Sequence, residues 1–155
     1  MSVRLRALTP EELAAFIDED QERYVQERVK SGEDREVATK VAQEQSGTLF
    51  PGGTPAEGQL FFRVLDERET PVGTLWIGPQ LVGPPDGYWV FDVRIDEAFR
   101  GNGYGRATME LAEFEARHRG AKELGLNVFG HNEVARRLYE SMGYVATAIR
   151  MKKTL

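Results

Sequence analysis

The chain has 155 residues, 41% hydrophobic and 29% charged, with a net charge of −5 and a pI of about 5.2. A chain of this length buries roughly 70% of the surface it exposes when unfolded, so one domain over residues 1–155 is expected, with no disulfide or metal staple. The acidic balance argues against nucleic acid and suits a cationic partner such as an amine. No run of 18 apolar residues predicts a membrane span. The N-terminal MSVRLRALTPEEL lacks the apolar core of a signal peptide, which points to the cytoplasm.

The missing residue types narrow the chemistry. There is no cysteine, which removes thiol catalysis and Cys-ligated zinc. The two histidines, His118 and His131, form no HExxH motif, and no metal site is expected. None of Ser2, Ser31, Ser46 and Ser141 lies in GxSxG, and no Gly-Lys-Ser/Thr marks a Walker loop.

Along the chain, Val3 to Ala7 predicts a short strand. Thr9-Pro10-Glu11-Glu12 then starts a helix: Thr9 caps, Pro10 suits the first helical position and Glu12 completes a capping box. Leu13, Phe16, Ile17 and Tyr24 carry it to about Val29, and Ser31-Gly32 breaks it. Val37, Ala38, Val41 and Ala42 predict a second helix ending near Gly47. Residues 47–58 hold four glycines and two prolines and read as a loop. Gln59 to Asp66 and Val72 to Ile77 predict a hairpin about Glu67-Arg68-Glu69-Thr70. After a Gly/Pro-rich loop over 78–87, Tyr88 to Ile95 (YWVFDVRI) is the strongest strand signal.

A helix should follow to about Arg119. Ala107, Leu111 and Phe114 form its expected buried stripe, and Arg106, Glu110, Glu113 and Arg117 its polar one. Glu123 to Phe129 predicts a strand. Asn132 to Met142 predicts a helix with Val134, Ala135, Leu138 and Met142 inward, and Tyr144 to Lys152 a closing strand.

The segment RGNGYGR joins a strand end to a helix start. Helix N-termini present unpaired N–H groups and partial positive charge, and glycines let a phosphate approach the backbone. Arg100 and Arg106 add cationic donors. Arg106 stands where a dinucleotide fingerprint needs a third glycine after Gly101 and Gly103, and repeated βαβ units are missing. A pyrophosphate-bearing cofactor other than a nicotinamide is therefore expected; the bland alternative is a turn that only redirects the chain.

This loop resembles the acetyl-CoA loop of the GNAT N-acetyltransferases, Arg/Gln-x-x-Gly-x-Gly/Ala, met by Arg100, Gly103 and Gly105. LGLNVFGHNEVARRLYESMGY resembles the same family's second cofactor motif, with Asn132, Ala135, Leu138-Tyr139-Glu140 and Gly143-Tyr144 in order. Together the two motifs cover roughly Tyr88 to Tyr144. The resemblance implies an α+β fold, an α/β/α sandwich. Its central sheet would be mixed and mostly antiparallel, with six or seven strands, the fourth and fifth splayed, and about four helices.

It also implies acetyl transfer from acetyl-CoA to a primary amine, on a small molecule or a peptide, by direct attack in a ternary complex, with a homodimer open as the assembly. Backbone N–H groups of Gly101, Asn102, Gly103, Tyr104, Gly105 and Arg106 would hold the pyrophosphate, with Arg100 as a further cofactor-binding residue. Backbone groups of Val93 and Ile95 would pair with pantetheine, the Val93 region also donating to the acetyl carbonyl. Asn132 reads either as a helix N-cap or as a pantetheine ligand, and the two are compatible. Tyr139, two helical turns on, would protonate the leaving thiolate, or else is a core aromatic.

The general base is less legible. The family's glutamate positions fall here on Trp89 and Asn127, which cannot act as bases. Asp92 is the carboxylate within YWVFDVRI; it serves either as base or as a partner for a neighbour such as Arg94. His131 could relay a proton or simply be solvated, and His118 suits a helix C-terminus. Glu22, Glu27, Glu44 and Tyr24 are candidates to receive the substrate ammonium, or else form a solvated helix face. Two competing readings keep the same loop: a non-catalytic acyl-CoA-binding module, with no use for Tyr139, and a transferase of another acyl group, which bulky Trp76 and Trp89 disfavour.

Overall fold

The computed structural model describes residues 2–155. β1 (Arg4–Ala7) leads into α1 (Pro10–Lys30), where Thr9 Oγ1 accepts from the Glu12 N–H and the Glu12 carboxylate accepts from the Thr9 N–H. Glu12 also takes Arg6 of β1 at 2.9 Å and Arg63 of the next strand at 3.0 Å, so the helix start is pinned to the sheet by charge. α2 (Arg35–Leu49) is capped by Asp34 and runs two residues past the expected stop at Gly47. A short 3-10 turn, Pro51–Gly53, follows.

β2 (Leu60–Leu65) and β3 (Pro71–Pro79) form the expected hairpin, its turn closed by Asp66 N–H to Thr70 O and Glu69 N–H to Asp66 O. β4 (Gly87–Ile95), α3 (Tyr104–His118), β5 (Glu123–Leu126) and α4 (Glu133–Ser141) complete the order. The sheet runs β1-β2-β3-β4-β5, antiparallel except for the parallel β4–β5 pair.

α1 and α2 cover one face through Phe16, Leu49, Phe50, Phe61 and Trp76. α3 covers the other through Met109 and Ala112 against Val64, Val72, Leu75, Ile77 and Val90, with Tyr139 and Met142 of the α4 region packed against the same cluster. The layering is the expected α/β/α sandwich with four α-helices, but with five strands among the described residues instead of six or seven.

The difference lies in Tyr144–Lys152, expected as a strand. This segment forms none: Val145, Ile149 and Met151 are exposed, and Lys152 Nζ donates to Gly32 O at 2.8 Å, beside the α1–α2 turn. An alternating pattern becomes a strand only where a ladder partner accepts it, and here the segment's contact is with a helix connection. β5 likewise stops at Leu126 instead of Phe129, where its pairing with β4 ends.

Two inward assignments are also corrected. Phe114 is exposed and stacks on His118. The buried face of α3 is Tyr104, Thr108, Met109, Ala112 and Ala116, and Phe114, two residues from both Ala112 and Ala116, lies about 160° away on the opposite side of the helix. Val134 is 82% exposed, since the nine-residue α4 faces the core only through Ala135, Leu138 and Tyr139.

Two irregularities of β4 shape the site. The β3–β4 register shifts between Trp76 and Ile77, pairing Trp76 with Asp92 but Ile77 with Val90. The extra residue, Phe91, stacks on Trp76 at 4.8 Å, so Phe91 and Asp92 both face α1. On the other edge, β4 pairs with β5 only from Gly87 to Val90 and runs on five residues alone. β5 itself ends at Leu126, so the pairing stops where that strand does.

Candidate functional site

The loop after β4 is held open by its own side chains. Arg100 Nε donates to Ile95 O at 2.9 Å, and Asn102 Nδ2 donates to Phe99 O and Arg100 O. Gly101 and Gly103 sit at φ +78° and +83°, a left-handed conformation that costs glycine little. Gly103 is the N-cap of α3 and has no side chain to cap with. The first helical N–H groups, from Tyr104 to Arg106, therefore point outward without a protein acceptor, a ready anion cradle. Gly105 lies against α4, where an added Cβ would stand 3.4 Å from Leu138 Cδ2. Arg106 Nη2 donates to Ser141 Oγ at 2.6 Å, tying the loop to the end of α4.

The unpaired stretch of β4 beyond Val90 borders this loop. Val93 and Ile95 turn their side chains to the α3 side of the sheet, against the larger core cluster. Trp89 faces Gly125 across the last paired rungs, so close that a Cβ on Gly125 would meet its ring at 2.6 Å. Asn132 caps α4 by accepting the Ala135 N–H on Oδ1 at 3.2 Å, which leaves its Nδ2 to donate elsewhere. Both sequence readings of Asn132 thus remain compatible. Tyr139 packs edge-on to Tyr144 at 5.9 Å. Burial, and then the charge of Asp92, push its phenol up to about 12, so it is protonated throughout the physiological range.

Asp92 has a partner that sequence reasoning missed. Its Oδ2 stands 3.6 Å from Arg23 Nη2 of α1, and the same nitrogen donates to Asp20 Oδ1 at 3.4 Å. Arg94, the neighbour expected to pair with Asp92, instead has Asp96 at 3.9 Å. Burial, then the charge of Asp92, raises the Asp20 carboxyl to about 7. Asp92 is raised too, by burial, with Arg23 and Arg94 pulling the other way. The available sequence signal was the i, i+4, i+7 spacing of Phe16, Asp20 and Arg23, which puts a carboxylate and a guanidinium on the buried stripe of α1. Arg23 also lies over the Phe16 ring at 5.6 Å.

The acidic residues proposed to receive an ammonium are largely committed. Glu22 binds Arg35 at 2.8 Å, the Tyr24 hydroxyl accepts from Arg28 at 2.9 Å, and Glu27 Oε2 meets His131 Nε2 at 2.7 Å. His131 is thus a link between α1 and the β5–α4 loop, not merely a solvated residue. No cluster of potential metal ligands occurs among the described residues.

Comparison with known proteins bears on the family and the fold. The model of the acetyltransferase (GNAT) family matches residues 12–144. The chain is 31% identical to the uncharacterized N-acetyltransferase YdgE of Bacillus subtilis, covering all of this chain and 99% of that one. It is 32% identical to the uncharacterized N-acetyltransferase YycN of the same organism over the whole of both chains. The crystal structure of YycN superposes with a TM-score of 0.88, at 28% identity and 99% coverage of each. The fold alone is shared with AAC(6')-Iy, solved with a bisubstrate analogue joining CoA to monomethyl-acetylneamine, at a TM-score of 0.58 and 12% identity over both full chains.

Proposed function

The chain belongs to the acetyltransferase (GNAT) family, and on that premise we propose that it moves the acetyl group of acetyl-CoA to a primary amine by direct attack within a ternary complex. That it is an acyltransferase follows from the family. The observation that carries it is the meeting of outward N–H groups at the start of α3 with the unpaired end of β4, across from Asn132 and Tyr139.

Bound acetyl-CoA supplies an activated acyl group as a thioester. The N–H groups from Gly101 through Asn102, Gly103, Tyr104 and Gly105 to Arg106 would hold its pyrophosphate, with Arg100, whose own N–H is donated to Glu97 O, adding only cationic charge. The β4 edge at Val93 and Ile95, where Ile95 O already accepts from Arg100 Nε, would align pantetheine, and the Val93 region would donate to the carbonyl as charge develops; losing such a donor costs about 3 kcal/mol. Asn132 keeps Nδ2 available while Oδ1 caps α4. Tyr139 holds a proton at Oη suited to a departing thiolate. Asp92 would take a proton from the incoming ammonium, a role supported by its Oδ2 having no hydrogen-bond partner in the protein, with Arg23 beside it.

The test is calorimetric titration of acetyl-CoA together with thiol release on a panel of amines. One acetyl-CoA per chain and amine-dependent thiol release are expected. Binding without turnover on any amine would favour a non-catalytic module.

A further inference from the structure

Three buried polar atoms on one patch of the α1-covered sheet face have no hydrogen-bond partner in the protein: Thr74 Oγ1, Asp92 Oδ2 and Arg94 Nε. Two other buried side-chain atoms among the described residues share that condition, Glu113 Oε2 and Tyr144 Oη, and these two residues lie against each other. The register sets Thr74 directly opposite Arg94, and Trp76 opposite Asp92. The three unpartnered atoms thus occupy adjoining positions on two paired strands, Asp92 and Arg94 about 7 Å apart along β4. Thr74 is 2% exposed. A cavity of about 400 Å³ opens over the Thr74–Arg94 end of this patch, lined by Arg63, Thr74 and Arg94 of the sheet and by Glu12, Phe16 and Glu19 of α1; Asp92 lies outside its lining, two residues along β4 from Arg94.

Unpartnered buried groups are rare because each loses its water without compensation. The chemistry of these three is complementary to one kind of molecule. Arg94 Nε–H can only donate, and the Thr74 hydroxyl can donate beside it. Asp92 Oδ2 accepts. Nearby charges leave these sites open: Glu12 is held by Arg6, Arg63 and the Thr9 N–H, which also occupies Arg63. Asp96 is 3.9 Å from Arg94, and Arg23 is 3.6 Å from Asp92, both beyond hydrogen-bond range.

We propose that the acceptor is a small amino-carboxylate, such as a free amino acid, with its carboxylate on Arg94 and Thr74 and its amine at Asp92. This rests on the acetyltransferase reading above and names the substrate class of that site. Glu11 and Glu19 also line the cavity and repel a second carboxylate, so monocarboxylates are preferred over dicarboxylates.

The test uses acetyl-CoA with a panel of L-amino acids, each beside its carboxamide, which keeps the amine and removes the acidic charge. Thiol release should show at least one amino acid with kcat/KM about tenfold or more above its carboxamide, the size of a lost charge-assisted hydrogen bond. Glutamate and aspartate should be poor. The acid-over-amide preference should disappear in Thr74→Val and Arg94→Met, with acetyl-CoA affinity unchanged by calorimetry. Arg94→Lys keeps the charge and guards against a folding defect; it should retain part of the preference. Carboxamides used as well as acids, no transfer to any member although acetyl-CoA binds, or a preference that survives both substitutions would each overturn the proposal. Failure of the wild-type chain to bind acetyl-CoA would overturn the acetyltransferase reading, and this proposal with it.

Discussion

Asp20 of α1 and Asp92 of β4 share one guanidinium nitrogen of Arg23, at 3.4 and 3.6 Å. Two carboxylates beside one cation in a buried place cannot both ionise freely, and both are raised above the usual carboxylate range. At Asp20 the folded chain therefore holds more proton than the unfolded one between about pH 4 and about pH 7, while Glu12, Glu22 and Glu33, lowered by their arginine partners, act the other way at the acid end of that window. The contribution of Asp20 to stability should fall as pH rises through that window. Asp20→Asn removes the titrating group, so urea midpoints measured across the window should decline less steeply in the variant. An unchanged slope would detach Asp20 from this behaviour.

Gly103→Asp tests the loop. Gly103 caps α3 at φ +83°, and a side chain there would set a carboxylate among the outward N–H groups. Acetyl-CoA affinity should weaken by about tenfold or more. Calorimetry on variant protein shown to be folded by circular dichroism is the measurement, and unchanged affinity would remove this loop from the cofactor site.

Tyr139→Phe isolates one hydroxyl. If its proton goes to the leaving thiolate, kcat should drop by about 10²-fold while acetyl-CoA affinity stays the same. The ring keeps its contact with Tyr144, so the melting temperature should hardly move. A rate within about a factor of two of the wild type would leave Tyr139 as a packing residue.

Gly73→Ala concerns the sheet that positions Asp92 and Arg94. A Cβ at Gly73 would fall 2.1 Å from Arg94 O, a clash with backbone that no rotamer change relieves. β3 and β4 must separate there, and stability should fall by at least about 2 kcal/mol. The denaturant midpoint reports it, and a neutral result would mean the strands tolerate a wider spacing.

Much of the molecule was written locally. The Thr9–Glu12 capping box, the RGNGYGR turn and the Asn132 cap depend on residues a few positions apart, and sequence reading placed them. Family membership was legible for the same reason: its motifs are short backbone arrangements of glycines, caps and one tyrosine. What only the tertiary structure decided involves distant partners. Arg23, not Arg94, stands beside Asp92 because α1 crosses that part of the sheet, and His131 meets Glu27 across 104 positions of sequence. Phe114 is exposed because α3 docks by its Met109–Ala112–Ala116 face, and the segment after Tyr144 forms no strand because its contact is with the α1–α2 turn. Local pattern sets which conformations a segment can adopt. Which face is buried, which edge is paired and which charges meet are settled by what packs against it.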